Sequence, residues 1–152
     1  MKTLSFALLL YLVLSTAAYA YDKTITVPAE KAEGITITLP KGNYRAEAAG
    51  GAVALFFPIH PNYSWLYSLC VGTDCLGGQD QPNLGTLYVE PSPKVASQAD
   101  AENEVLQALK EGQVGATLDF TLKQEKEVRL WVSDFDYSDN MGSERVRIFS
   151  LR

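Results

Sequence analysis

Residues 35–57 read ITITLPKGNYRAEAAGGAVALFF, and the periodicity of this stretch decides the fold class. Ile35, Ile37 and Leu39 alternate with Thr36 and Thr38, and Tyr44, Ala46 and Ala48 alternate with Arg45 and Glu47. A period of two sends successive side chains to opposite faces of a strand, so each segment reads as a half-buried β-strand. The run at 52–57 is apolar throughout, as in a strand covered on both faces. Lys41-Gly42-Asn43 and Gly50-Gly51 carry turn chemistry, which predicts three strands divided by two turns.

The same pattern extends outward. TITV (24–27), TLYVE (86–90), ATLDFTL (116–122) and RVRIF (145–149) alternate, while VRLWV (128–132) is a second continuous apolar run whose Trp131 belongs to the core. Tyr63, Trp65 and Tyr67 also alternate and are read as one buried or partly buried strand face, although aromatic rings could equally stack on sugars. With turn signals at Glu33-Gly34, Gly77-Gly78 and Asn140-Met141-Gly142, roughly six to eight short strands result. The prediction is all-β: an antiparallel β-sandwich of jelly-roll type. One stretch departs from it. SQADAENEVLQALKEG (97–112) is rich in helix formers, with Val105, Leu106 and Leu109 as a small apolar face and Gly112 as a stop, and predicts one short surface helix covering an end of the sandwich.

Residues 1–20, MKTLSFALLLYLVLSTAAYA, have a single lysine, an apolar run from Phe6 to Leu14 and an Ala18-Tyr19-Ala20 ending, which is the pattern of a secretory signal peptide. The run is well short of the roughly 18–20 residues that span a bilayer, and no transmembrane segment is expected elsewhere. A single domain over 21–152, periplasmic or secreted, is the expectation. Acidic residues outnumber basic ones, 18 against 13, which argues against nucleic acid as a partner because phosphate neutralisation needs Lys and Arg. Cys70 and Cys75, two cysteines closely spaced in an exported chain, read as a disulfide. His60 is the only histidine, so a Ser-His-Asp or Cys-His mechanism has one possible base. No recognisable nucleophile motif lies near it, and the chain reads as non-enzymatic.

The candidate site is SDFDYSDNMG (133–142). Asp134, Asp136, Asp139 and Asn140 offer several hard oxygens from one turn, which suits Ca2+ with its six to eight oxygen ligands. It is not an EF-hand loop: Asp139 stands where the sixth-position glycine belongs and Arg145 where the closing glutamate belongs. The other reading is a hairpin turn whose Asp, Asn and Gly only let the backbone reverse.

RLWVSDFDYSDNMGSERVRI resembles the last two strands of the bacterial calcium-dependent galactophilic (PA-IL-like) lectins, where an acidic loop closes with two adjacent Asp or Asn residues before a final strand. GITITLPKGNYRAEAAGG resembles that family's N-terminal signature, and LCVGTDC, preceded by His60-Pro61, matches its C-x4-C. The loop before Asp139 is shorter here than in that family, and the stretch from His60-Pro61 to the cysteines is longer. The resemblance implies a small galactose-binding-like jelly roll with one Ca2+ near its end. It implies Asp134, Asp139 and Asn140 as side-chain ligands, with backbone carbonyls from Asp136 and from around Ala54. It places His60 and Asn62 against the sugar. The function so implied is an exported, calcium-dependent, carbohydrate-binding protein, a galactose-like sugar being one possible ligand, with avidity from a homo-oligomer. The alternative is an exported protein-binding module, of inhibitor or immunity type, that meets a basic protein partner through its acidic surface, with calcium structural or absent.

Overall fold

The computed structural model describes residues 20–55, 64–73, 83–90, 97–132, 134 and 136–152. Among them are eight strands and one helix: β1 (Asp22–Pro28), β2 (Ile35–Leu39), β3 (Gly42–Leu55), β4 (Ser64–Gly72), β5 (Gly85–Val89), α1 (Gln98–Lys110), β6 (Thr117–Leu122), β7 (Lys126–Val132) and β8 (Met141–Leu151). Every pairing is antiparallel. The strands run β1-β8-β3-β4-β7-β2, with β6 on β3 and β5 on β4. The predicted antiparallel β-sandwich is therefore the fold. The proposed leader, apart from Ala20, lies outside the described residues, and no described helix is long and apolar enough to cross a membrane.

The inward positions of the alternating segments form one core. Tyr44, Ala46, Ala48, Phe120, Leu122, Val146 and Ile148 meet Leu39, Tyr67, Leu69, Leu87, Val89, Val128 and Leu130 across the sandwich. The outward positions of the first layer pair across strands: Arg45 holds Asp119 through Nε and Nη2 (2.6 and 2.8 Å), and Arg147 holds Asp22 in the same way (2.8 and 2.7 Å). At these exposed positions such pairs contribute little, about 0–1 kcal/mol each, and serve register more than stability.

β7 is buried on both faces, as its apolar run predicts. Val128 and Leu130 face the core, while Arg129 and Trp131 lie on the other face under the β1–β2 turn. Arg129 Nε and Nη2 donate to the carbonyls of Glu33 and Ala32 (2.8 and 2.5 Å), and its guanidinium stacks 4.7 Å above the Trp131 ring. The cation thus fastens the turn to the sheet.

Two expectations need correction. Gly50-Gly51 is not a turn between strands. β3 runs through it as one strand of 14 residues, and the register against β8 slips between Ala48 and Gly51. Glycine there serves a β-bulge, with φ of 109° and 79°, and the bulge bends β3 without ending it. The apolar face of α1 is also different: Ala101, Val105 and Ala108 are buried, while Leu106 is exposed and Leu109 only partly covered. The helix lies close against β3, where Gln98 Nε2 donates to the Ala52 carbonyl (3.2 Å) and Glu102 pairs with Arg145, so small side chains fill the interface. Its ends follow capping rules. Ser97 Oγ accepts the Asp100 N–H (3.2 Å), and Gly112, with φ of 68°, lets the N–H groups of Gly112 and Gln113 reach the carbonyls of Leu109 and Ala108.

Candidate functional site

The loop between β7 and β8 stands on a small apolar cluster of Ala29, Val53, Leu66 and Val132, separate from the main core. Two side chains of the loop bind it to this base. Tyr137 Oη donates to the Val132 carbonyl (2.8 Å) and accepts the Asp134 N–H (3.3 Å), so the ring folds back under the loop. Asn140 is buried, and its Nδ2 donates to the Ala29 carbonyl (3.2 Å). Next to it the Ala29 N–H donates to the Gly142 carbonyl (3.1 Å), which ties the β1–β2 turn to the start of β8.

These anchors orient the oxygens. With Asn140 Nδ2 committed to Ala29, Asn140 Oδ1 is left buried with no hydrogen-bond partner among the described residues, and the same holds for Asp139 Oδ1 on the adjacent residue. Asp134 is half-buried, with its Oδ2 shielded from solvent. An unmet buried acceptor costs about 1–3 kcal/mol, more when charged, so acceptors on consecutive residues mark a place suited to a donor or a cation.

Asp136 behaves differently. Its Oδ1 accepts the Ser138 N–H (3.0 Å) and the Ser138 hydroxyl (2.6 Å), closing a local turn, and these bonds hold its carboxyl below the usual carboxylate range. Its side chain is exposed and serves the turn, which leaves its backbone carbonyl as the group the resemblance implies. Ala54 lies opposite Met141 in the β3–β8 register, so the segment after Gly50-Gly51 does run beside the end of the loop.

Among the described residues no three His, Cys, Asp or Glu side chains are grouped to hold a metal. A cation here would draw on the Asn140 amide oxygen and backbone carbonyls as well as carboxylates. That is an oxygen donor set of the kind Ca2+ takes, not the imidazole and thiolate set of zinc. His60, Asn62 and Cys75 lie outside the described residues. Cys70 is buried on β4, with Sγ 3.9 Å from Thr86 Oγ1. Trp65 is half-buried and Tyr67 fully buried, so the alternating aromatic face is core where it is described.

Sequence reasoning overlooked two residues. Tyr137, which holds the loop to its base, looks from the sequence like any loop tyrosine. Glu144 is completely buried and in phase with Val146 and Ile148, a spacing that could have shown it faces inward. Its Oε1 accepts the Ser68 N–H, its Oε2 has no partner among the described residues, and burial pushes its carboxyl up to about 8.

No protein-family model matches the chain, and no protein of curated function matches it. Among solved structures it is similar to one described as the EclA N-terminal domain, a PllA-like lectin. The identity is 13% and the TM-score 0.39, over 84% of this chain and 95% of that one.

Proposed function

We propose that this protein is an exported, non-enzymatic binding protein that takes a carbohydrate through a calcium ion held by the 134–140 loop. The observation that carries the reading is the pair of buried oxygens without a hydrogen-bond partner among the described residues, Asp139 Oδ1 and Asn140 Oδ1, on consecutive residues of a loop anchored from below by Tyr137 and Asn140 Nδ2. Asp134, Asp139 and Asn140 would hold the ion with side-chain oxygens, and the carbonyls of Asp136 and of the segment around Ala54 would complete the set. The bound ion would offer coordination positions to neighbouring sugar hydroxyls. The chain's part is to keep these oxygens in place before the ion arrives, so that little ordering is left to do on binding. His60 and Asn62 belong to the same reading as contacts to the sugar.

Melting curves in excess calcium and in chelator test the ion. An ion that binds only the folded state, at a hundred times its dissociation constant, stabilises it by about 2.7 kcal/mol. In a domain of this size that is a rise of several degrees. The Asp139→Ala variant is expected to lose the calcium-dependent rise while melting in chelator at the wild-type temperature or slightly above, since repulsion and an unmet acceptor are removed and Asn140 keeps its bond to Ala29. A wild-type curve indifferent to calcium returns the loop to a plain turn and favours the protein-binding reading. A glycan array with and without chelator then tests the sugar, and only chelator-sensitive signals support it.

Export has its own check. Thiol labelling of the denatured, unreduced protein is expected to find Cys70 and Cys75 blocked as a disulfide. Two labelled thiols would remove the bridge from the reading.

A further inference from the structure

Glu144 lies at a corner of the sandwich that no strand pairing fills. β4 pairs with β3 from Ser64 to Leu66 and with β7 from Leu69 to Gly72. Tyr67 and Ser68 fall between, where β4 leaves one layer for the other; β5 pairs with them on one edge, and among the described residues no strand pairs with them on the other. The Ser68 N–H would be an unsatisfied buried donor there. Instead it donates to Glu144 Oε1, which reaches across from β8, and Tyr67 Oη adds a second tie to β8 by donating to the Arg145 carbonyl (2.9 Å).

Among the described residues the carboxyl that does this has no charge partner. From β4 the facing titratable group is Tyr67, whose hydroxyl is committed to Arg145 and whose own ionisation is pushed well up by burial and by Glu144. β3 and β1 place Gly51 and Val27 opposite Glu144, neither of them titratable. On β8 itself Arg145 and Arg147 alternate to the exposed face, where they pair with Glu102 on α1 and Asp22 on β1. Arg129 on β7 is bound to the carbonyls of the β1–β2 turn. Glu144 Oε2 has no hydrogen-bond partner among the described residues. The Ser68 N–H offsets only part of the desolvation cost of an ionised carboxylate in such a place, whereas the neutral acid keeps that bond at little cost.

We infer that Glu144 is a pH-responsive latch: as the neutral acid it holds closed the corner where β4 passes between the layers, and on ionisation it loosens that corner. The sign follows from proton counting. Burial raises the folded-state pKa from 4.5 to about 8, so between those values the folded chain keeps a proton that the unfolded chain has lost, and stability falls as pH rises. Below that window the contribution is fully present, and above it no further change is expected. The carboxylates held low by arginine or by the Ser138 turn, Asp22, Asp119 and Asp136, act at more acidic pH and leave the window clear.

The test is urea unfolding of wild type and Glu144→Gln from pH 5 to 9. Glutamine keeps an acceptor for the Ser68 N–H and cannot ionise. Relative to the variant, the wild-type unfolding constant is expected to rise by up to about tenfold per pH unit across the window. Taking the difference removes the contributions of His60 and the amino terminus. Parallel profiles would overturn the inference. If the variant does not fold, the wild type alone decides. The carboxyl 13C resonance of Glu144 is expected to titrate far above the ordinary carboxylate range, with protection of the Ser68 amide from exchange falling through the same midpoint. A midpoint near 4.5, or a Ser68 amide indifferent to pH, overturns it.

Discussion

Trp131→Ala is expected to destabilise the fold by about 3–5 kcal/mol, the range for removing a fully buried aromatic side chain. The indole is completely buried between β7 and the β1–β2 turn, beneath the Arg129 guanidinium. Its loss would leave a cavity and would also take away the platform that orients Arg129, whose two bonds to the carbonyls of Ala32 and Glu33 fasten that turn. Trp131→Phe should cost much less than its change in volume implies. Trp131 Nε1 has no hydrogen-bond partner among the described residues, so the smaller ring removes a buried donor that gains nothing in the wild type. Urea unfolding of the two variants against wild type measures both. A loss below about 1 kcal/mol for the alanine variant would mean that the indole is not in the core.

Gly34→Ala attacks the same junction from the other side, with an expected cost of about 3 kcal/mol or more. Two terms add. Gly34 has φ of 63°, a left-handed conformation that costs an L-residue about 1–2 kcal/mol. A Cβ there would overlap the Leu130 carbonyl oxygen and lie 2.7 Å from Trp131 Cβ, and forcing extra atoms into packed structure costs about 1–3 kcal/mol. Neither obstacle is the flexible end of a side chain, so the turn itself must lift from β7, lengthening the bonds from Arg129. Gly112→Ala provides the contrast: its φ of 68° is similar, but a Cβ there meets nothing within 4 Å, so only the backbone term applies. Equal losses in the two variants, measured by urea unfolding, would show that close approach to β7 contributes nothing.

Strand identity was legible because it is a local property. A period of two in residues 24–27, 35–39, 44–48, 86–90, 116–122 and 145–149 states which side chains face a common surface whatever that surface is, and a doubly apolar run such as 128–132 states that both faces are covered. Helix α1 was legible for the same reason, through its helix formers and the glycine after its last turn. Its buried face was not, because the choice between Leu106 and Ala101 depends on how closely β3 approaches. Gly50-Gly51 shows the limit for glycine: a turn and a bulge demand the same positive φ, and only the presence of β8 alongside makes the bulge the outcome.

The candidate site divides in the same way. Its acidic residues and their spacing are written in 134–140, and on that basis alone a calcium loop and a plain turn stand side by side. Only the tertiary structure separates Asp136, turned into a local bond with Ser138, from Asp139 and Asn140, each of which keeps one Oδ1 buried without a partner among the described residues while Tyr137 and Ala29 hold the loop down. Glu144 is the extreme case. Its inward phase can be read from Val146 and Ile148, but a glutamate at such a position is tolerable only where a backbone donor is otherwise unmet, and that donor exists because β4, distant in sequence, changes partners at Ser68. Local periodicity encodes which way a side chain points. What it meets there is set by long-range pairing, and so the chemistry of the buried polar groups belongs to the tertiary structure.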